Sequence, residues 1–170
     1  MKPIYCNCCW QRGVSLIEAV IAIGVLAVVI PMVCGTLVEA GKCGQASQAE
    51  SRSSWMIRAC MDEIRASRQG HPRFFTATTS GQTVPPTGEV WALAFAADGQ
   101  PLGKLSPTHY TNGTRELDGK AVRYIALIDS VMLPAKPGII PLLGIHIALE
   151  YPAPLPLAQR RKLDFHTLMP

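Results

Sequence analysis

The stretch that decides how this chain is organised runs from residue 12 to residue 38. It reads Arg12-Gly13-Val14-Ser15-Leu16-Ile17-Glu18, then AVIAIGVLAVVIPMVCGTLV from Ala19 to Val38. Those last 20 residues carry no charge. At about 1.5 Å of rise per residue, a helix of that length covers roughly 30 Å, the thickness of a bilayer's hydrocarbon core. Three arrangements compete for such a run. A buried core helix would be apolar on all faces at the chain's N-terminus, which the length rule disfavours. A secretory signal peptide would use Lys2 and Arg12 as its basic region and the small residues around Val38-Glu39-Ala40 for cleavage. Its apolar core, however, is usually only about 7–15 residues long, and here Glu18 sits at the mouth. A membrane anchor kept on the protein uses the whole run. Lys2 and Arg12 flank it on one side and Lys42 and Arg52 on the other, so charge alone does not orient it.

The junction before the run is more specific. A polar leader, MKPIYCNCCWQRG, ends in Gly13; Val14 comes next, and Glu18 is a lone acid at a fixed spacing from the glycine. This pattern resembles the class III leader junction of type IV pilins and type II secretion pseudopilins, the prepilin-type cleavage and methylation motif. The resemblance covers about residues 1–40. It implies that a prepilin peptidase, a membrane-embedded aspartyl enzyme, cuts after Gly13 on the cytoplasmic side and methylates the new amine of Val14. Glu18 would then be the fifth residue of the mature chain. Its carboxylate would pair within the membrane with the terminal amine of a neighbouring subunit, so that Glu18 serves subunit assembly. An acid at the centre of a membrane helix costs about 2.5–3.5 kcal/mol on insertion scales, and less near the end, so such a residue is read as functional by default.

Two departures from the family pattern favour a minor over a major, abundant pilin. Val14 stands where phenylalanine is commonest, and Pro31 falls somewhat earlier than the kink proline of major pilins. The implied protein is a minor pilin or pseudopilin-like subunit of a filament machine. It would be a single-pass protein of the inner membrane with its soluble domain on the periplasmic side. Its partners would be prepilin peptidase, other pilin-like subunits and the membrane itself. Its work would be assembly, not catalysis.

The helix is expected to continue past the membrane. Ala46, Ala49, Ser53, Ile57, Cys60 and Ile64 recur at steps of three or four, one helical stripe, and Ile57, Cys60, Met61 and Ile64 should pack against the domain beyond the helix. Arg58 and Asp62 are spaced to pair at i, i+4. Gly35, Gly41 and Gly44 weaken the helix and favour a bend after the membrane. Gly70-His71-Pro72 is a stop signal.

After Gly70 the composition shifts to Pro, Gly and Thr. Arg73 to Thr79 and Glu89 to Ala97 read as strands, the second ended by the turn dipeptide Asp98-Gly99. Residues 100–119 read as loop and tight turns. Period-two alternation marks strands at Val122–Ile128, Ile145–Tyr151 and Leu163–Thr167, with Pro152, Pro154 and Pro156 between the last two. The expected class is α+β: one long helix on an antiparallel sheet. The expected organisation is a leader at 1–13, a transmembrane half-helix at 14–38, its amphipathic continuation at 39–69 and a β-rich domain at 70–170. More loosely, RASRQG (65–70), WALAFAADGQPL (91–102) and RRKLDFHTL (160–168) are similar to the pilin-like Verru/Chthon cassette protein B family.

Over the whole chain, 48% of residues are hydrophobic, only 16% are charged, and the net charge is +4. That composition excludes disorder, and the scattered basic residues argue against a nucleic-acid binder. Arg160-Arg161-Lys162 is the only basic run and reads as solvated. Of six cysteines, Cys6, Cys8 and Cys9 lie in the leader. Cys34 lies in the apolar run and lacks a lipidation context. Cys43 and Cys60 are about 25 Å apart by helical rise, too far to bridge. His71, His109, His146 and His166 are far apart in sequence and read as surface imidazoles, not metal ligands; His146 and His166 are expected to point outward from neighbouring strands. Asp62 and Glu63 point to different helix faces and make no catalytic pair. No nucleophile elbow, phosphate loop or dinucleotide fingerprint is present, and no catalytic residue, cofactor or metal is called for. Two other classes stay open: an uncleaved membrane-anchored domain that binds a soluble ligand, and a secreted enzyme behind an ordinary signal peptide.

Overall fold

A computed structural model describes residues 15–78, 82–86, 89–133 and 142–169. Gly13 and Val14, the expected cleavage junction, lie outside the described residues, as do Cys6, Cys8 and Cys9. The chain is α+β, with one long helix followed by an antiparallel sheet. It divides into two compact units, Met1–Gln45 and Ala46–Pro170.

Helix α1 spans Leu16–Arg68 and contributes to both units. In the first unit it starts at Ser15, whose carbonyl accepts the backbone N–H groups of Glu18 (3.0 Å) and Ala19 (3.1 Å). The Ser15 hydroxyl oxygen also accepts the Glu18 N–H (3.4 Å), as a helix-capping side chain does. Every residue from Ser15 to Gln45 is exposed. The helix runs through Gly35, Gly41 and Gly44 unbroken. Pro31 lies inside it, where its ring removes one backbone donor.

In the second unit five strands form one sheet: β1 (Trp91–Phe95), β2 (Pro101–Leu105), β5 (Tyr124–Met132), β6 (Leu143–Tyr151) and β7 (Arg161–Met169), in the order β2-β1-β5-β6-β7. All neighbours are antiparallel. Short strands β3 (Glu116–Leu117) and β4 (Lys120–Ala121) pair with each other, and a short helix α2 (Pro107–Asn112) precedes them.

The register explains the core. Trp91 lies opposite Ile128, Ile128 opposite Ile147, and Ile147 opposite Phe165, an apolar row across four strands. Because side chains alternate along a strand, this row shares a face with Leu93, Ala126, Leu149 and Leu163. The residues of α1 that pack there are Ala49, Met56, Cys60 and Ile64. Full burial of each large aliphatic side chain contributes about 1.5–3 kcal/mol. The opposite face carries a smaller cluster of Ala92, Ala94, Leu105, Tyr110, Val122, Ile125 and Ala153. It covers only part of that face: Val131 and Leu168 remain 64% and 60% exposed.

Several expectations are corrected. The buried stripe of α1 runs through Met56, not Ile57, and continues to Glu63 and Ser67; Ile57 and Met61 sit at its flank. Asp62 pairs with Arg65 (3.1 Å), one turn onward, not with Arg58. Residues 73–78 form no strand. The N–H groups of Arg73, Phe74 and Phe75 all donate to Oε1 of buried Glu63, at 2.9, 2.7 and 3.1 Å. Donors spent on one carboxylate are not available to a ladder. Ser67 fastens the next residues: its hydroxyl donates to the Thr76 carbonyl, and its own carbonyl accepts the Thr78 N–H (3.1 Å). Residues 100–119 are more ordered than a loop. β2 folds back on β1 across the Asp98-Gly99 turn despite Pro101, which an edge strand tolerates. α2 is started by Ser106, whose hydroxyl accepts the His109 N–H, and by Pro107 in its first turn. It ends at Gly113, where φ is +95° and a Cβ would stand 2.5 Å from the Pro154 carbonyl oxygen, so only glycine fits.

Candidate functional site

Glu18 occupies the first turn of α1, where the helix's positive end favours an acid. It is the only charged residue between Ser15 and Val38. The next charges along the helix, Glu39 and Lys42, pair with each other at 3.3 Å. Between Glu18 and Glu39 the helix shows only apolar and small uncharged side chains. Leu16, Val28 and Met32 are 84%, 69% and 71% exposed, and none of the most apolar 18-residue window is buried. A helix apolar on all sides and buried on none is long and apolar enough to cross a membrane. Its chemistry is that of an anchor with one carboxylate near the N-terminal end, able to accept a cation's hydrogen bonds.

Gly13 and Val14, the other candidates named from the sequence, lie outside the described residues. Besides Glu63 and Ser67, polar residues described in the second unit gather at the following places. The first is a buried ion cluster that sequence reading missed. Glu150 is fully buried on β6. Its Oε1 accepts from the Tyr110 hydroxyl (2.9 Å) and pairs with Lys162 Nζ (3.1 Å); its Oε2 pairs with Arg160 Nη1 (3.0 Å). Arg160 Nε donates to the Leu155 carbonyl (2.7 Å) and Nη2 to the Tyr110 carbonyl. Arg160 is therefore not part of a solvated charge run; the turn before β7 carries its guanidinium inward, where it offsets Glu150. Burial, followed by the bond to Glu150 and its charge, pushes the Tyr110 hydroxyl pKa well above the ordinary tyrosine range. Every strong partner is spent inside the cluster, which ties α2 and the 152–160 turn to β6. That is a structural role. The signal that could have found it is the proline-rich turn at Pro152–Pro156, which folds β7 back so that Glu150 lies opposite Lys162.

The second place is the outer face of β6 and β7. His146 and His166 are cross-strand partners, as their outward alternation implies, and their rings stack at 4.6 Å. His146 Nε2 contacts Asp164 Oδ1 at 2.9 Å. Stacked rings hold their in-plane lone pairs side by side instead of converging them on one point. Among the described residues no group of three or more His, Cys, Asp or Glu side chains is placed to hold a metal ion. The third place is Glu89. The indole N–H of Trp91 (3.1 Å) chiefly holds its carboxyl pKa below the ordinary value, with help from Thr76 and Lys104.

Cys60 is buried in the core, and burial, helped by the charge of Glu63, pushes its thiol pKa far up, which makes it inert. Cys34 and Cys43 are exposed free thiols. Comparison with protein-family models, with curated proteins and with solved structures finds no significant match for this chain.

Proposed function

We propose that this chain is a minor pilin or pseudopilin-like structural subunit of a type IV pilus or type II secretion-like filament. In this reading prepilin peptidase cleaves after Gly13 and methylates Val14. The mature subunit sits in the inner membrane through α1, with its sheet domain on the periplasmic side, and assembles with other pilin-like subunits. It has no catalytic task and no nucleic-acid ligand. The observation that carries the reading is the run Gly13-Val14-Ser15-Leu16-Ile17-Glu18 followed by 20 uncharged residues. Supporting it are a helix exposed over its whole apolar length, an acid in that helix's first turn, and an α+β fold.

The physical logic of Glu18 is a matched pair. Cleavage creates an amine at Val14 one turn from the carboxylate. In a low-dielectric setting the attraction between such charges is strong and the unpaired alternative costly. Pairing between the amine of one subunit and Glu18 of another would hold an incoming subunit in register.

Two variants test the reading. Gly13→Leu puts a side chain where the peptidase needs none; the chain should stay unprocessed and run larger on an immunoblot by its 13-residue leader. Normal processing of Gly13→Leu refutes peptidase recognition. Glu18→Val should insert into the membrane at least as well as the parent, because an intramembrane acid is removed, but should lose crosslinking to co-expressed pilin-like subunits. Parental crosslinking by Glu18→Val removes the assembly role.

A further inference from the structure

Met56 is fully buried, yet Trp55 beside it is 68% exposed. Tryptophan joins a large apolar face to an indole N–H donor and is enriched where proteins meet ligands or partners. Trp55 lines two cavities. One is an open groove of about 480 Å³, formed with Arg58 and Asp62 of α1 and with Asp98, Gln100 and Pro101 of the β1–β2 turn. The other, about 210 Å³, lies against Ser54 and Arg58. Both belong to the second unit.

The groove is set by the fold. The β1–β2 turn is closed by the Gly99 N–H donating to the Ala96 carbonyl (3.1 Å), with Gly99 at φ +87°. Asp98 Oδ1 accepts the Gln100 N–H (3.0 Å), which fixes the turn side chain. On the helix, Arg65 holds Asp62. Among the described residues, the side chains of Trp55, Arg58 and Gln100 make no hydrogen bond or ion pair. They are a free aromatic face with free donors beside it.

The chemistry of this wall selects a ligand class. Arg58 and Asp98 carry opposite charges, and the charge of Asp62 is offset by its ion pair with Arg65, so the rim has no net charge. A rim without net positive charge gives no electrostatic gain to phosphates, sulfates, nucleic-acid backbones or anionic headgroups and suits a neutral ligand. The rim offers donors (guanidinium, amide, indole N–H) and acceptors (two carboxylates, amide oxygen) next to an indole whose face is electron-rich. A neutral ring with a C–H face to stack and hydroxyls that both donate and accept meets all of these at once. The geometry points to a saccharide site: we propose that Trp55 is the stacking platform of a groove that binds neutral glycans, with Arg58, Asp62, Asp98 and Gln100 as its hydroxyl partners. This groove belongs to the sheet-bearing unit alone and is independent of how the chain is processed or assembled.

The test uses the full chain in a zwitterionic detergent, since sugar-headed detergents would compete. Tri-N-acetylchitotriose and maltotriose are the probes, followed by calorimetry and saturation-transfer NMR, with an array of neutral and anionic glycans alongside. The parent should bind at least one neutral glycan saturably, with little sensitivity to added salt. Trp55→Ala should weaken binding about tenfold or more, equivalent to about 1.4 kcal/mol; Trp55→Phe should lose less, and Asp98→Asn should lose affinity without loss of fold. Because Trp55 is exposed, near-UV circular dichroism should show the buried Trp91 environment unchanged in all three. No neutral glycan bound by the parent, binding by Trp55→Ala equal to the parent, or preference for anionic glycans overturns the proposal. So does a Trp55→Ala variant whose sole defect is lost crosslinking to copies or to other proteins, which would make this face a protein contact.

Discussion

The two parts of α1 are one continuous helix by backbone and two different objects by side chain. From Leu16 to Val38 it is apolar on every side, and none of it is buried. From Ala46 to Arg68 it is more polar, yet Ala49, Met56, Cys60 and Ile64 are all fully buried. Hydrophobicity alone therefore does not tell where a helix packs. What tells is whether apolar residues concentrate on one stripe. A stripe asks for a sheet face; an all-round apolar surface asks for an apolar solvent.

Substitutions along the helix probe that difference. The largest effect is expected at Met56. Met56→Ala opens a cavity against the sheet and should cost about 2–5 kcal/mol in urea-induced unfolding of the sheet domain; its neighbour Ile57, at the flank of the stripe, should cost clearly less on conversion to Ala. Equal losses would put the stripe one residue off. Next comes Glu63. Glu63→Ala strands three backbone donors at residues 73–75 and should cost about 1–3 kcal/mol. Glu63→Gln keeps an acceptor oxygen and should recover part of that loss. If Gln and Ala lose equally, the charge, not the cup of N–H groups, is what matters there. Exchange of the Phe74 and Phe75 amide protons, followed by NMR, should accelerate in Glu63→Ala ahead of global unfolding. The smallest effect is expected in the other part of the helix. Val28→Ala should leave unfolding of the sheet domain within about 0.5 kcal/mol of the parent, as for a surface site. A loss as large as that of Met56→Ala would mean that the apolar run packs on protein.

The same physics governs how much of the molecule was legible in the sequence. In β5, β6 and β7 the alternating residues Tyr124, Ala126, Ile128, Ile145, Ile147, Leu149, Leu163 and Phe165 share the core face that period two assigns them. β2 was hidden because Pro101 and Gly103 read as turn residues, while what makes it a strand is a partner, β1. Arg73 to Phe75 looked like strand because aromatic side chains favour extended backbone. The competing acceptor, Glu63, lies on a helix and leaves no trace in local propensity. Arg160 reads as solvated because a run of basic residues carries no sign of what covers it; Glu150, α2 and the neighbouring turn supply that cover. The groove beside Trp55 leaves no periodic signal, since residues from α1 and from the β1–β2 turn line it together. Glu18 was legible because one acid in an uncharged run needs no tertiary context to stand out.

Whether the apolar half of α1 enters the membrane as the processed end of a pilin-like subunit is decided by the mature N-terminus. The full chain, produced together with prepilin peptidase and recovered from the membrane fraction, should give an intact mass and N-terminal peptide beginning at methylated Val14. A terminus at Met1 would mean an uncleaved anchor, and one near Gly41 an ordinary signal peptide; either rules out the pilin-like reading.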